Sequence, residues 1–126
     1  MRTNRSVAVA LAGGIALGSL GTRAIKAQPT PSAFFIADVS DVSNADEFNR
    51  YAAGVPATVD KYGGHYIVRG GKTESLEGLP PSRFVITAFK SAADAKRWYD
   101  SPEYSALRVI RQRSAKTRAF IVEGVQ

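Results

Sequence analysis

The only histidine of the chain, His65, is the first residue whose type could do chemistry. An imidazole titrates near neutral pH, so His65 is a candidate general base and a candidate haem or metal ligand. The chain has no cysteine, and no second histidine or glutamate stands at ligand spacing from His65. Because zinc-type sites combine several such side chains, we predict no metal. The favoured interpretation is a histidine that forms local hydrogen bonds at the start of a strand.

A second candidate, Arg69, lies four residues after His65, and strict alternation along a strand would place both side chains on one face. A guanidinium can bind a carboxylate or a phosphate through two parallel hydrogen bonds. Alternatively, because a charge on a covered strand needs a partner, Arg69 could form an ion pair with Glu77 that holds the intervening loop on the sheet. We favour the ion pair and keep both residues as candidate substrate-binding residues.

Three aromatic residues, Trp98, Tyr99 and Tyr104, form the third candidate group. They could line one wall of an apolar pocket, although core packing with hydrogen-bonded hydroxyl groups is the favoured interpretation. No Ser–His–acid set can be assigned, and the glycine pairs at 63–64 and 70–71 lack the spacing of a nucleotide-binding loop. We therefore expect no cofactor, while a small-molecule ligand stays open.

The first 27 residues have the pattern of a secretory signal. Arg2 and Arg5 precede an apolar stretch without charge, and Ala27 precedes a polar segment with a proline. We predict a signal over residues 1–27 that is cleaved after Ala27, a tether over 28–32, and a periplasmic or secreted domain. An uncleaved N-terminal membrane anchor is the alternative, although the apolar stretch is shorter than the roughly 20 residues of a membrane span.

Much of the positive charge of the chain belongs to this N-terminal segment. The chain has 17 Lys and Arg against 11 Asp and Glu, a formal charge of +6, and residues 1–27 contain four of the bases and none of the acids. The remainder therefore carries 13 against 11, or +2. The basic residues between Arg108 and Arg118 are predicted to lie on a solvated helix face and loop. They lack the interleaved aromatic residues of a nucleic-acid site, so we expect no nucleic-acid partner.

Hydrophobic periodicity predicts the elements that must position these residues. Apolar runs predict strands at 34–39, 65–69, 83–89 and 119–123, and helical spacing predicts a helix after Asn44 and another after Ser91 with a fresh start at Ser101. We expect a kink or a break near Gly54–Val55, because Pro56 removes a backbone donor. The order of elements predicts an α+β, ferredoxin-like βαββαβ fold, with a four-stranded antiparallel sheet and helices on one face.

The predicted strands are apolar on both faces, as Phe34 beside Phe35 and Phe84 beside Val85 illustrate. Helices on one side cover only one face of a sheet, and strands with two apolar faces are typical of sheets covered on both. A chain of this size has nothing left to cover the second face. The pattern therefore predicts a homodimer.

Five ordered motifs resemble the domain-of-unknown-function 1330 (DUF1330) family over residues 33–125. They are Lys61–Gly64, Val68–Gly71, Leu76–Gly78, Trp98–Tyr104 and Ile121–Gly124. The resemblance implies a dimeric α/β barrel, in which two ferredoxin-like sheets pack together and many members have a cavity between sheet and helices. Its implied relatives include cofactor-free monooxygenases, haem-handling enzymes and muconolactone-type isomerases. The chain departs from the family pattern at His65, where arginine is usual, and in its signal segment.

Two functions follow as expectations. The first is an exported small-molecule-binding or interaction module without catalysis, because no convergent catalytic set is visible. The alternative is a cofactor-independent enzyme of oxygenase or isomerase type that acts on a small apolar or aromatic substrate, with His65 or Arg69 in its pocket.

Overall fold

The computed structural model describes residues 32–125, which form four strands and three helices. The strands are β1 (Ala33–Val42), β2 (His65–Arg69), β3 (Arg83–Phe89) and β4 (Ala115–Glu123). The helices are α1 (Ala45–Lys61), α2 (Ala92–Tyr99) and α3 (Pro102–Ser114). The predicted signal and its cleavage site lie outside the described residues. Within residues 32–125, no helix combines the length and the apolar character needed to cross a membrane.

Each helix begins at the side-chain cap that the sequence predicted. Asn44 Oδ1 accepts a hydrogen bond from the Glu47 amide at 3.1 Å, and Ser91 Oγ accepts one from the Asp94 amide at the same distance. The predicted start of a new helix at Ser101 is confirmed as well, because Ser101 Oγ accepts a hydrogen bond from the Tyr104 amide. These bonds satisfy donors that the first helical turn leaves free.

The sheet order is β2-β3-β1-β4, with every neighbouring pair antiparallel. The element order is βαββααβ, in which α2 and α3 together stand in the place of the second helix. Order and pairing confirm the predicted ferredoxin-like fold. Side chains alternate between two faces of the sheet. The covered face, which carries Phe35, Ala37 and Val39 of β1, is buried beneath the helices.

The opposite side of the sheet, the outer face, has no helix over it within residues 32–125. Its members share apolar character and incomplete burial. They are Phe34, Ile36, Phe84, Ile86, Phe120 and Val122. Phe120 and Val122 are 46% and 43% exposed. The strands therefore have apolar side chains on both faces of the sheet, as the sequence pattern predicted, and the helices cover only one of these faces.

The helix α1 runs unbroken across Pro56, so the helix does not break near Val55. A proline at this position leaves the carbonyl of Ala52, four residues earlier, without its helical donor. That carbonyl instead accepts a hydrogen bond of 3.0 Å from the guanidinium of Arg69 on β2. A side chain from the sheet thus replaces the missing backbone donor and holds the helix at this point.

Candidate functional site

A cavity lies between the covered face of the sheet and the helices α1, α2 and α3. Its lining is mostly apolar at the buried end, with Phe35, Val55 and Trp98 among the side chains. The space measures about 430 Å³ including its solvent-facing mouth, and a water molecule's centre can occupy about 30 Å³ of it. A single buried water needs roughly 10–15 Å³ by that measure. The cavity therefore has room for two water-sized groups in this structure.

A pair of tyrosine hydroxyl groups joins α1 to α3 behind this cavity. Tyr51 Oη and Tyr104 Oη are 2.7 Å apart, and Tyr104 is fully buried. Burial raises the pKa of Tyr51 well above its usual range, and the neighbouring Tyr104 adds to the increase. Tyr51 is therefore protonated at neutral pH and can donate a hydrogen bond.

Arg111 of α3 lines the same cavity and is only 4% exposed. Its guanidinium carbon lies 5.8 Å from the centre of the Tyr51 ring, and its Nε is buried without a hydrogen-bond partner. The prediction that the basic residues between positions 108 and 118 are solvated is therefore wrong for Arg111. The stripe of α3 that faces α1 includes this position, and the packing of α1 against α3 buries it.

Trp98 of α2 closes the cavity from a third side. Its ring centre is 4.9 Å from that of Phe35 and 4.1 Å from that of Tyr104. The indole Nε1 donates to Thr58 Oγ1 at 2.9 Å, and this hydroxyl donates to the Val55 carbonyl. The indole is thus fixed by packing and by a hydrogen bond, so its orientation relative to the cavity is well defined.

Arg69 lines the cavity on its exposed side. The guanidinium stacks 4.8 Å from the centre of the Tyr66 ring, in addition to its bond to the Ala52 carbonyl. The predicted ion pair with Glu77 does not form, because Glu77 lies in the exposed loop 70–82. The Ala52 carbonyl, instead of the Glu77 carboxylate, is the hydrogen-bond acceptor for Arg69.

His65 lies on the other side of the sheet from Arg69. It pairs with Ala88, which is level with Phe34 on the outer face, whereas Arg69 pairs with Val85 on the covered face. The register of β2 shifts between Tyr66 and Val68, which reverses the alternation of side chains beyond that point. The expectation that His65 and Arg69 share a face is therefore wrong, and only Arg69 lines the cavity.

Of the remaining predicted candidates, Trp98 lines the cavity, and Tyr104 lies one layer behind it. Tyr99 is half-buried, with its ring 5.8 Å from that of Phe35, and the guanidinium of Arg108 stacks on it at 4.3 Å. The structure thus brings Arg69 and Trp98 into one site and leaves His65 and Glu77 outside it.

Several cavity residues were not singled out from the sequence as site residues. They are Tyr51, Tyr66, Arg83, Thr87 and Arg111. Helical spacing is the signal that could have indicated a buried stripe of α1 for Tyr51 and of α3 for Arg111. A charged residue on such a stripe is a candidate for a buried polar site.

The lining of the cavity limits the chemistry that it can support. Among the residues that the structure describes there, none is histidine, cysteine, lysine or an acid. The polar groups are guanidinium ions and hydroxyl groups, which donate hydrogen bonds and stabilise negative charge. In residues 32–125, no group of three or more metal-binding side chains comes together.

The sequence matches the model of the family described as "Domain of unknown function (DUF1330)" over residues 32–125. The chain belongs to the DUF1330 family. No curated protein matches this DUF1330 member significantly.

Solved structures share the fold of this DUF1330 domain at low sequence identity. RPA0582, a protein of unknown function from Rhodopseudomonas palustris, is 13% identical with a TM-score of 0.62, covering 86% of this chain and 93% of that one. SnoaB, a cofactor-independent oxygenase from Streptomyces nogalater, is 12% identical with a TM-score of 0.58, covering 77% of this chain and 96% of its own.

A third similar structure is a dimeric ferredoxin-like protein of unknown function from Bacteroides fragilis. It is 12% identical with a TM-score of 0.52, and the match covers 77% of this chain and all of that one. At such identities the likeness of the DUF1330 domain to these three proteins establishes the fold alone.

Proposed function

We propose that this protein is a self-pairing binding domain whose cavity takes a small molecule with an apolar or aromatic body. The observation that carries the proposal is the cavity between sheet and helices, which combines apolar walls with a few polar groups. Ligand sites in proteins have this composition as a rule. The buried guanidinium of Arg111, whose Nε lacks a partner, is the group in this cavity with unused binding capacity.

The proposed homodimer is supported by the outer face. A monomer would expose a contiguous apolar patch made of side chains from β1, β3 and β4, and such patches mark interaction sites. The Bacteroides fragilis protein, which has the same fold, is described as dimeric. We propose that the outer faces of two copies pack together.

We also propose that the domain is exported to the periplasm or beyond. The support is the pattern of residues 1–27, with its basic start, its apolar stretch and Ala27 before a polar break. Mass spectrometry of the protein recovered from its native host would test this. A mature N-terminus at or near Gln28 is expected, whereas an intact N-terminus on membrane-bound protein would support the anchor.

Binding in the cavity can be followed through Trp98, the only tryptophan of the chain. We expect one or more small aromatic or branched molecules in a panel to change its fluorescence in a saturable way. Ala37, which lines the cavity, provides the test variant, because Ala37→Leu fills the space. Ala93→Leu on the exposed side of α2 is the matched control.

The expected result is loss of binding in Ala37→Leu and unchanged binding in Ala93→Leu, with both variants folded by circular dichroism. Equal binding by the two variants would place the ligand outside the cavity. No saturable change with any member of the panel would contradict the proposed binding function.

Light scattering tests the dimer. Wild-type protein at micromolar concentration is expected to have twice the mass of the chain, and Ile36→Asp is expected to halve it, because a carboxylate would be buried between two apolar faces. Ile36→Val is the control that keeps the face apolar. A monomeric wild type would contradict the proposal.

A cofactor-independent enzyme is the second candidate function. It is favoured by the hydroxyl pair of Tyr51 and Tyr104 beside an apolar cavity, and by the shared fold of SnoaB, a cofactor-independent oxygenase. Oxygen uptake and product analysis with the molecules that bind would reveal turnover. If turnover occurs, we expect Arg69→Ala to reduce it and His65→Ala to leave it unchanged, since only Arg69 lines the cavity. Turnover lost with His65→Ala alone would overturn this assignment.

A further inference from the structure

We infer that the cavity selects a small monocarboxylate, and that the carboxylate binds the guanidinium of Arg111 at the buried end. This inference rests on the proposed binding function and adds the chemical class of the ligand and the residue that anchors it.

The first argument is the charge of the cavity. Three of its lining residues, Arg69, Arg83 and Arg111, are cations, and none of the described side chains in the lining is acidic. Six ion pairs form within residues 32–125, and none includes these three arginines. Cations that converge on a space without acidic residues produce a positive potential there, which attracts anions.

The second argument is the state of Arg111 itself. The residue is only 4% exposed, and its Nε has no hydrogen-bond partner. A guanidinium stays charged at any physiological pH. No carboxylate within residues 32–125 forms an ion pair with Arg111, so no opposite charge there compensates its buried charge. A ligand that brings a negative charge would supply that compensation and a partner for Nε.

The third argument distinguishes the three arginines by what they already contact. Arg69 is exposed, donates to the Ala52 carbonyl and stacks on Tyr66, and Arg83 is partly exposed with its guanidinium 5.9 Å from the Phe48 ring. Both lie toward solvent, whereas Arg111 lies at the buried end. Arg69 and Arg83 therefore mark the entrance for an anion, and Arg111 is its anchor.

The fourth argument is size and shape. The cavity's room for two water-sized groups matches the two oxygens of a carboxylate, and the planar guanidinium fork fits a planar carboxylate. Tyr51 also lines the cavity, but its hydroxyl is already hydrogen-bonded to that of Tyr104, so the carboxylate is assigned to the guanidinium of Arg111. Because the carboxylate would take up this room, the hydrocarbon body would extend into the solvent-facing mouth, past the apolar side chains that line it.

The experiment compares benzoate with benzamide, which has the same ring and nearly the same shape but no charge. Fluorescence of Trp98 is titrated with each compound in the full-length protein. We expect benzoate to bind at least about 10-fold more tightly than benzamide, as the loss of a hydrogen bond to a charged group implies. Added salt is expected to weaken benzoate binding only slightly, because salt screens a buried ion pair less than an exposed one.

Three variants locate the anchor. Arg111→Met is expected to lower benzoate affinity by about 10-fold or more while benzamide affinity stays the same, and Arg111→Lys, which keeps the charge without the fork, is expected to lie between. Arg97→Met, an exposed residue of α2 outside the cavity, is the control for the change in net charge. If Arg111→Met does not fold, the affinities of wild type and Arg111→Lys for benzoate and benzamide still test whether Arg111 is the anchor.

The outcomes separate this inference from the proposed function. Equal affinity for benzoate and benzamide, both lost in Ala37→Leu, would overturn the anion preference and leave the binding function intact. A preference for benzoate that Arg97→Met reduces as much as the Arg111 variants do would overturn the anchor. Absence of any binding by wild type would overturn both.

Discussion

The covered face and the outer face of the sheet have similar apolar side chains but different polar surroundings. Above the covered face, the hydroxyl pair of Tyr51 and Tyr104, the Trp98–Thr58 bond and Arg111 are all buried among aromatic rings. The outer face has aromatic and aliphatic side chains, and the ion pair between Asp38 and Arg118 lies there in exposed surroundings. Apolar area alone therefore does not distinguish a ligand site from an interface, whereas buried polar groups do.

The difference has a physical origin. Polar groups buried inside one chain must find partners within it, and those that do not, such as Arg111 Nε, retain binding capacity for a small molecule. A flat apolar face without buried polar groups can be removed from water by packing against a second flat apolar face. The proposed ligand therefore belongs to the covered side, and the proposed second copy belongs to the outer side.

The largest expected effect comes from two neighbouring phenylalanines on opposite faces. Phe35→Ala should lower the free energy of unfolding by about 3–5 kcal/mol, because Phe35 is 3% exposed and packs against Trp98. Phe34→Ala should cost about 1 kcal/mol within one chain, because its side chain is only half-buried. Denaturant unfolding at two protein concentrations measures both values.

The matched pair also tests the dimer. The cost of Phe34→Ala should depend on protein concentration, because it acts on association, and that of Phe35→Ala should be dominated by its core contacts. Equal costs, both independent of concentration, would remove the distinction between the two faces.

The second prediction concerns the buried hydroxyl pair. Tyr51→Phe should destabilise the protein by about 1–3 kcal/mol, because it leaves the buried Tyr104 hydroxyl without its partner. The double variant with Tyr104→Phe should cost less than the sum of the single changes, since both hydroxyl groups are then absent. Additive costs in the double-mutant cycle would show that the pair is not coupled.

The third prediction concerns the link between Arg69 and α1. Arg69→Met should cost about 1 kcal/mol in the wild type, because the Ala52 carbonyl loses its donor. In a Pro56→Ala background the restored backbone N–H can serve that carbonyl, so the cost should fall by about 0.5 kcal/mol or more. The same cost in both backgrounds would show that Arg69 acts on stability in another way.

The smallest expected effect is acid sensitivity at the ends of α1 and α3. A hydrogen bond from Lys61 lowers the pKa of Glu103 from 4.5 to about 2, with further help from its own backbone and from Tyr62. A lowered pKa in the folded state contributes stability above the unfolded value, and this contribution is lost as pH falls from about 4.5 toward 2. Glu103→Gln should therefore flatten the fall in melting temperature over that window.

Glu77→Gln, in the exposed loop 70–82, is the control for removing one carboxylate. It should leave the slope of melting temperature against pH close to that of the wild type. If Glu103→Gln and wild type lose stability in parallel below pH 4.5, the ion pair at the helix ends does not contribute.

Much of the fold could be predicted from the residues. The caps at Asn44, Ser91 and Ser101 are local signals, because a side chain three residues before an amide satisfies it whatever lies elsewhere in the chain. The continuity of α1 across Pro56 could not be predicted, because the compensating donor, Arg69, belongs to another element. The site was predicted only in part, through Arg69 and Trp98.

The order of the elements, their caps and the two apolar strand faces follow from the amino-acid sequence, since they depend on local propensity and on spacing within each segment. Which side chains lie together depends on how the elements pack. One shifted register in β2 sends His65 and Arg69 to opposite faces, and the packing of α1 on α3 buries Arg111 beside Tyr51. Such neighbourhoods depend on contacts between residues far apart in the chain, which spacing within one segment does not record.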